Sequence, residues 1–297
     1  MPCYKPLKGW YANTRNESGK RSIVFKRSEA HYDRPITIPC GQCIGCRLER
    51  SRQWAMRCTH EASLYNENCF ITLTFSDSYL DPNLSLNVSD FQKFMKRLRK
   101  KYGNGIRYFH CGEYGEKLQR PHHHACIFNF DFPDKQLYTI RDEIRLYRSE
   151  SLEKLWPYGF CIIGDVTFES AAYVARYIMK KITGEPAKDH YNGRQKEYTT
   201  MSRKPGIGKG WYDKYKETDI YSQDQIVVRK DVICKPPKYY DNQYEIDNPE
   251  KMSKLKRART KKAQQNPDNR EDRLAVRGKV KLSKLKKLRR TYETASI

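Results

Sequence analysis

Two β-rich segments, Ile106 to Tyr114 and His122 to Phe130, are separated by little more than the six loop-like residues Gly115 to Arg120. A connection that short cannot return the chain to its starting end, so the two segments must run antiparallel as neighbours. This hairpin constrains everything around it. Upstream, Cys69-Phe70-Ile71-Thr72-Leu73-Thr74-Phe75 is β-branched and aromatic and predicts a strand. Ser89 with Gln92 three residues on predicts a capped helix start, and Phe91, Phe94, Met95 and Leu98 give that helix one apolar face, ended by Gly103-Asn104-Gly105. Downstream, Leu137, Ile140, Ile144 and Tyr147 predict a second helix, Phe160 to Val166 a fourth strand, and Ala171 to Lys181 a third helix. The order β-α-β-β-α-β followed by α predicts an α+β fold. It is a ferredoxin-like split antiparallel sheet with helices on one face.

Around this core, residues 69–182, lie three further segments. Residues 1–68 are Cys-rich and irregular, closing with a basic helix from Arg47 to about Tyr65. Residues 183–240 form a Tyr- and Lys-rich extension with one strand at Gln225–Ile233, bounded by Pro236-Pro237. Residues 241–297 form a basic tail in which Leu282, Leu285, Leu288 and Tyr292 can line one side of a helix. The chain carries a net charge of +23, and residues 251–290, with 17 Lys and Arg against three acids, hold +14 of it. Such an excess suits a polyanionic partner, nucleic acid before an acidic membrane surface. No apolar run approaches the roughly 20 residues of a membrane span, and Met1-Pro2-Cys3-Tyr4-Lys5 lacks a secretory h-region. A cytoplasmic location follows, in which the ten cysteines are reduced thiols or metal ligands.

Chemistry concentrates in three places. In Arg120-Pro121-His122-His123-His124-Ala125-Cys126, His122 and His124 lie two apart on a strand and share a face, which makes half of a divalent-metal site. An isolated H-x-H is more often solvated, but this one leads into an apolar core strand. A symmetric hairpin brings Glu113 opposite His122, with Glu116 as the reserve carboxylate. Two imidazoles and a carboxylate suit Mg²⁺ or Mn²⁺ and leave positions for phosphate oxygens. On the third helix, Tyr173 and Tyr177 are four apart and share a face. Such a pair alone is usually core packing, yet Ala171, Val174 and Ile178 offer a separate apolar stripe. Lys180, one turn on, can contact a phosphate or ease deprotonation of a phenol, and Arg176 and Lys181 are candidate DNA contacts. Finally, Cys40, Cys43 and Cys46 supply three thiolates where structural Zn²⁺ needs four ligands. Cys3 and Cys58 are candidates for the fourth, with His60 behind them. An iron-sulfur cluster, or three reduced thiols in a turn, are the other readings.

The ordered motifs, a Phe70-Ile71-Thr72-Leu73-Thr74 strand, Gly112-Glu113-Tyr114-Gly115, Arg120-Pro121-His122-x-His124-Ala125 and Tyr173-Val174-Ala175-Arg176-Tyr177-Ile178-x-Lys180, resemble the replication initiators of gokushovirus-type Microviridae, which are HUH endonucleases. The resemblance covers roughly residues 39–182. It implies that His122, His124 and Glu113 bind the metal, that Tyr173 and Tyr177 are nucleophiles, and that Cys3, in an early M-x-C, completes a zinc site. It also implies the activity: nicking of single-stranded and origin-containing duplex phage DNA through a 5′-phosphotyrosine, then rejoining, in a host bacterial cytoplasm alongside the host helicase and polymerase. His123 departs from the hydrophobic middle residue that the class prefers. The competing reading is a non-enzymatic zinc-containing nucleic-acid-binding protein.

Overall fold

The computed structural model describes residues 3–17, 19–115, 118–141, 143–180, 182, 184–229 and 232–287, with side chains of 177–180 and 229 left aside. The chain divides into two compact units, residues 1–49 with 254–289, and residues 50–253 with 290–297.

In the first unit, β1 (Leu7–Ala12), β2 (Ile23–Val24) and β3 (Ala30–Ile38) form an antiparallel sheet in the order β2-β1-β3. The irregular segment expected here is therefore largely strand. Its six- and nine-residue partners alternate too weakly between apolar and polar to announce themselves. In the larger unit, α1 (Ile44–Ala62, from Arg50 on) precedes β4 (Asn68–Leu73), α2 (Val88–Tyr102), β5 (Arg107–Tyr114) and β6 (Pro121–Phe128). Then follow β7 (Gln136–Arg141), β8 (Ile144–Arg148), α3 (Glu150–Leu155), β9 (Cys161–Gly164) and α4 (Phe168–Lys180). The extension adds α5 (Pro186–Tyr191), β10 (Tyr198–Met201), α6 (Lys209–Tyr215), the pair β11 (Ile226–Arg229) and β12 (Val232–Cys234), and α7 (Lys238–Asp247). Two long helices, α8 (Pro249–Gln265) and α9 (Glu271–Lys286), close the described chain. Residues 254–289 group with the N-terminal sheet: Lys8 pairs with Glu271 at 3.5 Å, and Tyr4 packs where a Cβ on Gly278 would lie 3.3 Å away. Leu282 lies on α9 as expected of the tail; Leu288 and Tyr292 lie outside the described residues.

The large sheet is antiparallel throughout, in the order β10-β5-β6-β4-β9-β8-β7. Three expectations need correcting. The segment 137–147 is not a helix but the hairpin β7–β8, with Thr139 opposite Leu146 and Ile140 opposite Arg145. Its apolar spacing satisfies a helix, but it is rich in β-branched and aromatic residues and β8 finds a partner in β9, so pairing wins over periodicity. The helix lies further on at α3, where Ser149 Oγ accepts from Leu152 N at 3.1 Å as N-cap. Likewise 225–233 holds part of a hairpin rather than one strand. Helices also cover both faces, not one. On one face, Phe91, Phe94, Met95 and Leu98 of α2 and Leu152 and Leu155 of α3 pack on Ile71, Leu73, Ala125 and Ile127. On the other, Ala55 and Cys58 of α1 and Ala171, Tyr173, Val174 and Ala175 of α4 pack on Phe70, Phe109, Cys111, Cys126 and Phe128. A smaller difference is the cap of α2, which is Asn87, accepting from Ser89 N at 3.0 Å, rather than Ser89 itself.

His123 belongs to the α2 face. It is fully buried against Trp156 and Phe75, and its Nδ1 lies 3.1 Å from His110 Nε2, whose Nδ1 meets Thr200 Oγ1 at 2.8 Å. On the other face His60 stacks on Trp211 and meets Tyr240 Oη at 2.9 Å. Burial pulls both His60 and His123 down from 6.5 to about 3. Between those values the unfolded chain binds protons that the folded chain refuses, so stability falls as pH drops. We expect a loss of about 1.4 kcal/mol per pH unit for each ring below pH 6.5. Urea unfolding at stepped pH measures it, and His123→Phe should flatten part of the slope.

Candidate active site and metal centres

The hairpin register is Glu113 opposite His122 and Cys111 opposite His124, while β4 sets Thr72 beside His124. Strand alternation then sends Glu113, His122, His124 and Thr72 to the α4 face, and His123 to the α2 face. His124 is the hub. Its Nε2 lies 2.9 Å from Glu113 Oε1 and its Nδ1 2.9 Å from Thr72 Oγ1. With Glu113 ionised, the proton sits on Nε2 and Nδ1 accepts from the threonine hydroxyl. Were Nε2 to ligate a metal, the same hydroxyl would accept from Nδ1–H instead. Thr72 serves either tautomer. The 2.9 Å spacing of Nε2 and Oε1 is also close to the ~3.0 Å between adjacent ligands of an octahedral cation with bonds near 2.1 Å.

His122 stands further out, its ring centroid 6.3 Å from that of His124. Burial first, then the neighbouring His124, pulls its pKa down to about 4, so it is a neutral ring with a lone pair to offer. Gly115 of the expected Gly-Glu-Tyr-Gly motif makes room for it: a Cβ there would lie 3.0 Å from His122 Cε1. Among the described residues, the one group of three or more His, Cys, Asp or Glu gathered tightly enough for a metal is the cysteine set described below. The His–Glu trio thus shares a face, with two of its three members at ligand spacing. Glu116 lies outside the described residues.

Tyr173 comes to this face from α4. Its ring meets His124 edge-on at 5.2 Å between centroids and Phe70 edge-on at 6.3 Å. It is only 4 % exposed and belongs to the core cluster with Ala171, Val174 and Ala175. The apolar stripe and the tyrosine face are therefore one continuous buried surface at this turn, which the sequence spacing had separated. Arg176 is half-buried on the same helix; Tyr177 and Lys180 lie on its last turn, their side chains outside the described set, as is all of Lys181. Just past the helix, Ile182 N donates to Tyr191 Oη at 3.0 Å, and Tyr191 in turn bonds the Glu197 carboxylate. The end of the tyrosine helix is thus tethered to the extension.

The second centre lies wholly within residues 3–46. The thiol sulfurs of Cys3, Cys40, Cys43 and Cys46 all lie within 4.8 Å of one another. Cys3 and Cys40 stand 3.7 Å apart and Cys3 and Cys43 3.9 Å, against ~3.8 Å for sulfurs held tetrahedrally at 2.3 Å from Zn²⁺. Backbone N–H groups of Tyr4, Cys40 and Cys43 donate to the sulfurs of Cys43, Cys3 and Cys40 at 3.2–3.3 Å, the hydrogen bonding that stabilises thiolates. The four cysteines can hold a metal such as zinc. Cys3 is the fourth member; Cys58 is buried in the sheet-facing core, and His60 is engaged with Trp211 and Tyr240.

Thr72 is the residue that sequence reasoning passed over, treated only as part of a core strand. Its signal was parity: it lies two residues from Phe70 and from Thr74 on a strand adjoining the histidines.

The site is thus a buried imidazole–carboxylate pair on a central antiparallel sheet, edged by a helix tyrosine. The family described as replication-associated protein ORF2/G2P matches residues 68–182, the segment that carries these groups. The chain is 35% identical over 264 residues to the replication-associated protein VP4 of Bdellovibrio phage phiMH2K, covering 84% of this chain and 79% of that one. It is 33% identical over 265 residues to the replication-associated protein ORF2 of Spiroplasma virus 4, covering 82% and 81%. The replication-associated protein ORF4 of Chlamydia phage 1 is 32% identical over 181 residues, 57% of this chain and 45% of that one. The chain belongs to the family of phage replication-associated proteins, the Microviridae replication initiators that its motifs resemble. No solved structure matches it. No helix among the described residues is long and apolar enough to cross a membrane.

Elemental analysis of purified protein should find about one zinc per chain. Cys43→Ser should lower that content well below one.

Proposed function

We propose that this replication initiator nicks and rejoins a single DNA strand by tyrosine attack, opening rolling-circle replication of a phage genome. The observation that carries the reading is Tyr173 lying edge-on to His124 while His124 holds Glu113. The strand order β9-β4-β6-β5, with β4–α2–β5 as a crossover around β6, supports the ferredoxin-like HUH arrangement, elaborated by the β7–β8 hairpin and a second helical face.

Glu113, His124 and, after a turn of its ring, His122 would hold Mg²⁺ or Mn²⁺. Such a cation supplies Lewis-acid polarisation of the scissile phosphate. The chain's own groups do the rest. Thr72 holds the His124 ring in orientation whichever nitrogen carries the proton. Tyr173 or Tyr177 attacks phosphorus, forming a Tyr–O–P bond as the P–O3′ bond breaks and the 3′-oxygen takes up a proton. The phosphodiester bond energy is retained, so the reverse attack by a 3′-hydroxyl reseals the strand without ATP. Because Tyr173 is buried, the strand must displace packed neighbours to reach its phenol. Arg176 and Lys180 of α4, with Lys181 next in sequence, contribute positive charge for the phosphates. The zinc-type centre and the basic segment 251–290 add folding stability and salt-sensitive DNA affinity. On this reading the protein acts on phage DNA in the host cytoplasm, beside host helicase and polymerase; its membership of a phage replication family supports the DNA part.

With an origin oligonucleotide, the double variant Tyr173→Phe, Tyr177→Phe should form no covalent adduct and still bind DNA. Adducts that persist in it would remove the nucleophile assignment, and an adduct-free wild type with full binding would favour a non-enzymatic DNA-binding protein. Thr72→Val should raise the divalent-ion concentration needed for half-maximal nicking by about 10–100-fold, read from metal titrations after EDTA treatment.

A further inference from the structure

On α1 of the larger unit, Arg57 is held between two aromatic rings, its guanidinium 4.1 Å from the Trp54 ring centroid and 3.9 Å from that of Tyr239. Its Nε donates to Ile207 O at 2.9 Å. The rings fix its plane. Together with Arg50, Gln53, Trp54 and Tyr239 it lines a cavity of about 100 Å³.

Among the described residues Arg57 makes no ion pair with a carboxylate. The nearby Glu61 is committed elsewhere, to Arg107 and to the backbone N–H of Gly208 at 2.6 Å. Burial correspondingly pulls the pKa of Arg57 down. A half-buried cation without a counter-charge is costly to keep, and a fold that orders it between rings has preorganised it for an anion. The neighbouring Arg50, exposed and seven residues earlier on the same helix, adds a second positive charge at the rim. Both faces of Trp54 are already covered, by Arg57 and by Phe109 at 4.7 Å, so that ring offers no face on which a base could stack, while the guanidinium offers charge and N–H donors. Its size also suits a single oxyanion better than a nucleobase.

We propose that this cavity binds one backbone phosphate of a single-stranded DNA segment, through the guanidinium fork of Arg57 with Arg50 at its rim. Its place in the fold supports DNA as the source of the phosphate. Phe109, which underlies Trp54, is on β5 with Glu113, four residues away and on the same face, about 13 Å along the strand. One DNA strand can therefore occupy this cavity and the histidine face together. The inference rests on the DNA reading of the protein but not on tyrosine chemistry.

The test is binding, with no nicking step. Anisotropy of a labelled single-stranded oligonucleotide is followed with the full chain across a salt series, for wild type, Arg57→Lys, Arg57→Gln and Arg50→Gln, each checked by thermal melting. Arg57→Lys keeps the charge but loses the fork, and should weaken binding about tenfold irrespective of sequence. Arg57→Gln should also lower the salt slope by about one. A scan of single methylphosphonate linkages should find one position whose neutralisation weakens wild type by the Arg57→Gln factor and that variant no further. Wild-type affinity and salt slope in the folded variants would overturn the proposal. So would a scan in which no linkage is coupled to Arg57. Inorganic phosphate that competes in wild type, with no linkage coupled, would assign the cavity to free phosphate and also overturn it. Should the Arg57 variants fail to melt cooperatively, exposed Arg50→Gln decides by the same affinity, slope and scan. An adduct-free wild type with these binding results intact would remove the nuclease reading and leave this site standing.

Discussion

The arrangement of chemistry in this protein depends on the pairing of β6 with its two neighbours. Antiparallel ladders fix which residues stand opposite one another, and a slip of one position would move every side chain to the other face. With Glu113 opposite His122 and Thr72 beside His124, one imidazole receives a carboxylate on one nitrogen and a hydroxyl on the other. The same pairing turns His123 away into a wholly different setting. Three consecutive histidines thus divide between a polar site and an apolar core without any change of residue type.

The two faces of the sheet are correspondingly different in kind. The α2 side is a packed aromatic interior in which His110 bridges His123 and Thr200 and burial keeps both rings neutral. The α4 side is also closed, but by a helix that presents Tyr173 to His124 and whose far end is tethered through Ile182 to Tyr191. On the proposed reading a DNA strand would have to compete with that packing, which would couple access to stability at the tyrosine helix. The cation between Trp54 and Tyr239 lies on this same side, where a polyanion would approach.

Much of the site was legible because short-range rules govern it. The six-residue loop allowed little choice of register, and from register and parity follow the positions of Glu113, His122 and His124. The helix that carries Tyr173 was legible from its own apolar spacing. Cys40, Cys43 and Cys46 were legible from spacing too, whereas Cys3 joined them only by resemblance until β1 and β3 brought residues 3 and 40 together. The segment 137–147 was misread because its apolar residues satisfy both helical and strand periods, and only a free edge on β9 could arbitrate.

By itself, then, the amino-acid order determined the local alternation and spacing: which groups share a strand face, which tyrosine occupies which helical turn, and where three thiolates cluster. These are consequences of backbone geometry within a dozen residues. Tertiary structure alone decided Thr72 as the partner of His124, His110 as that of His123, and the burial of Tyr173 against the histidine face; it also brought Cys3, named by resemblance, to the cysteine set. Those outcomes turn on contacts between segments tens of residues apart, where many pairings satisfy local propensity. The choice among them is made by closing the sheet and filling both of its faces.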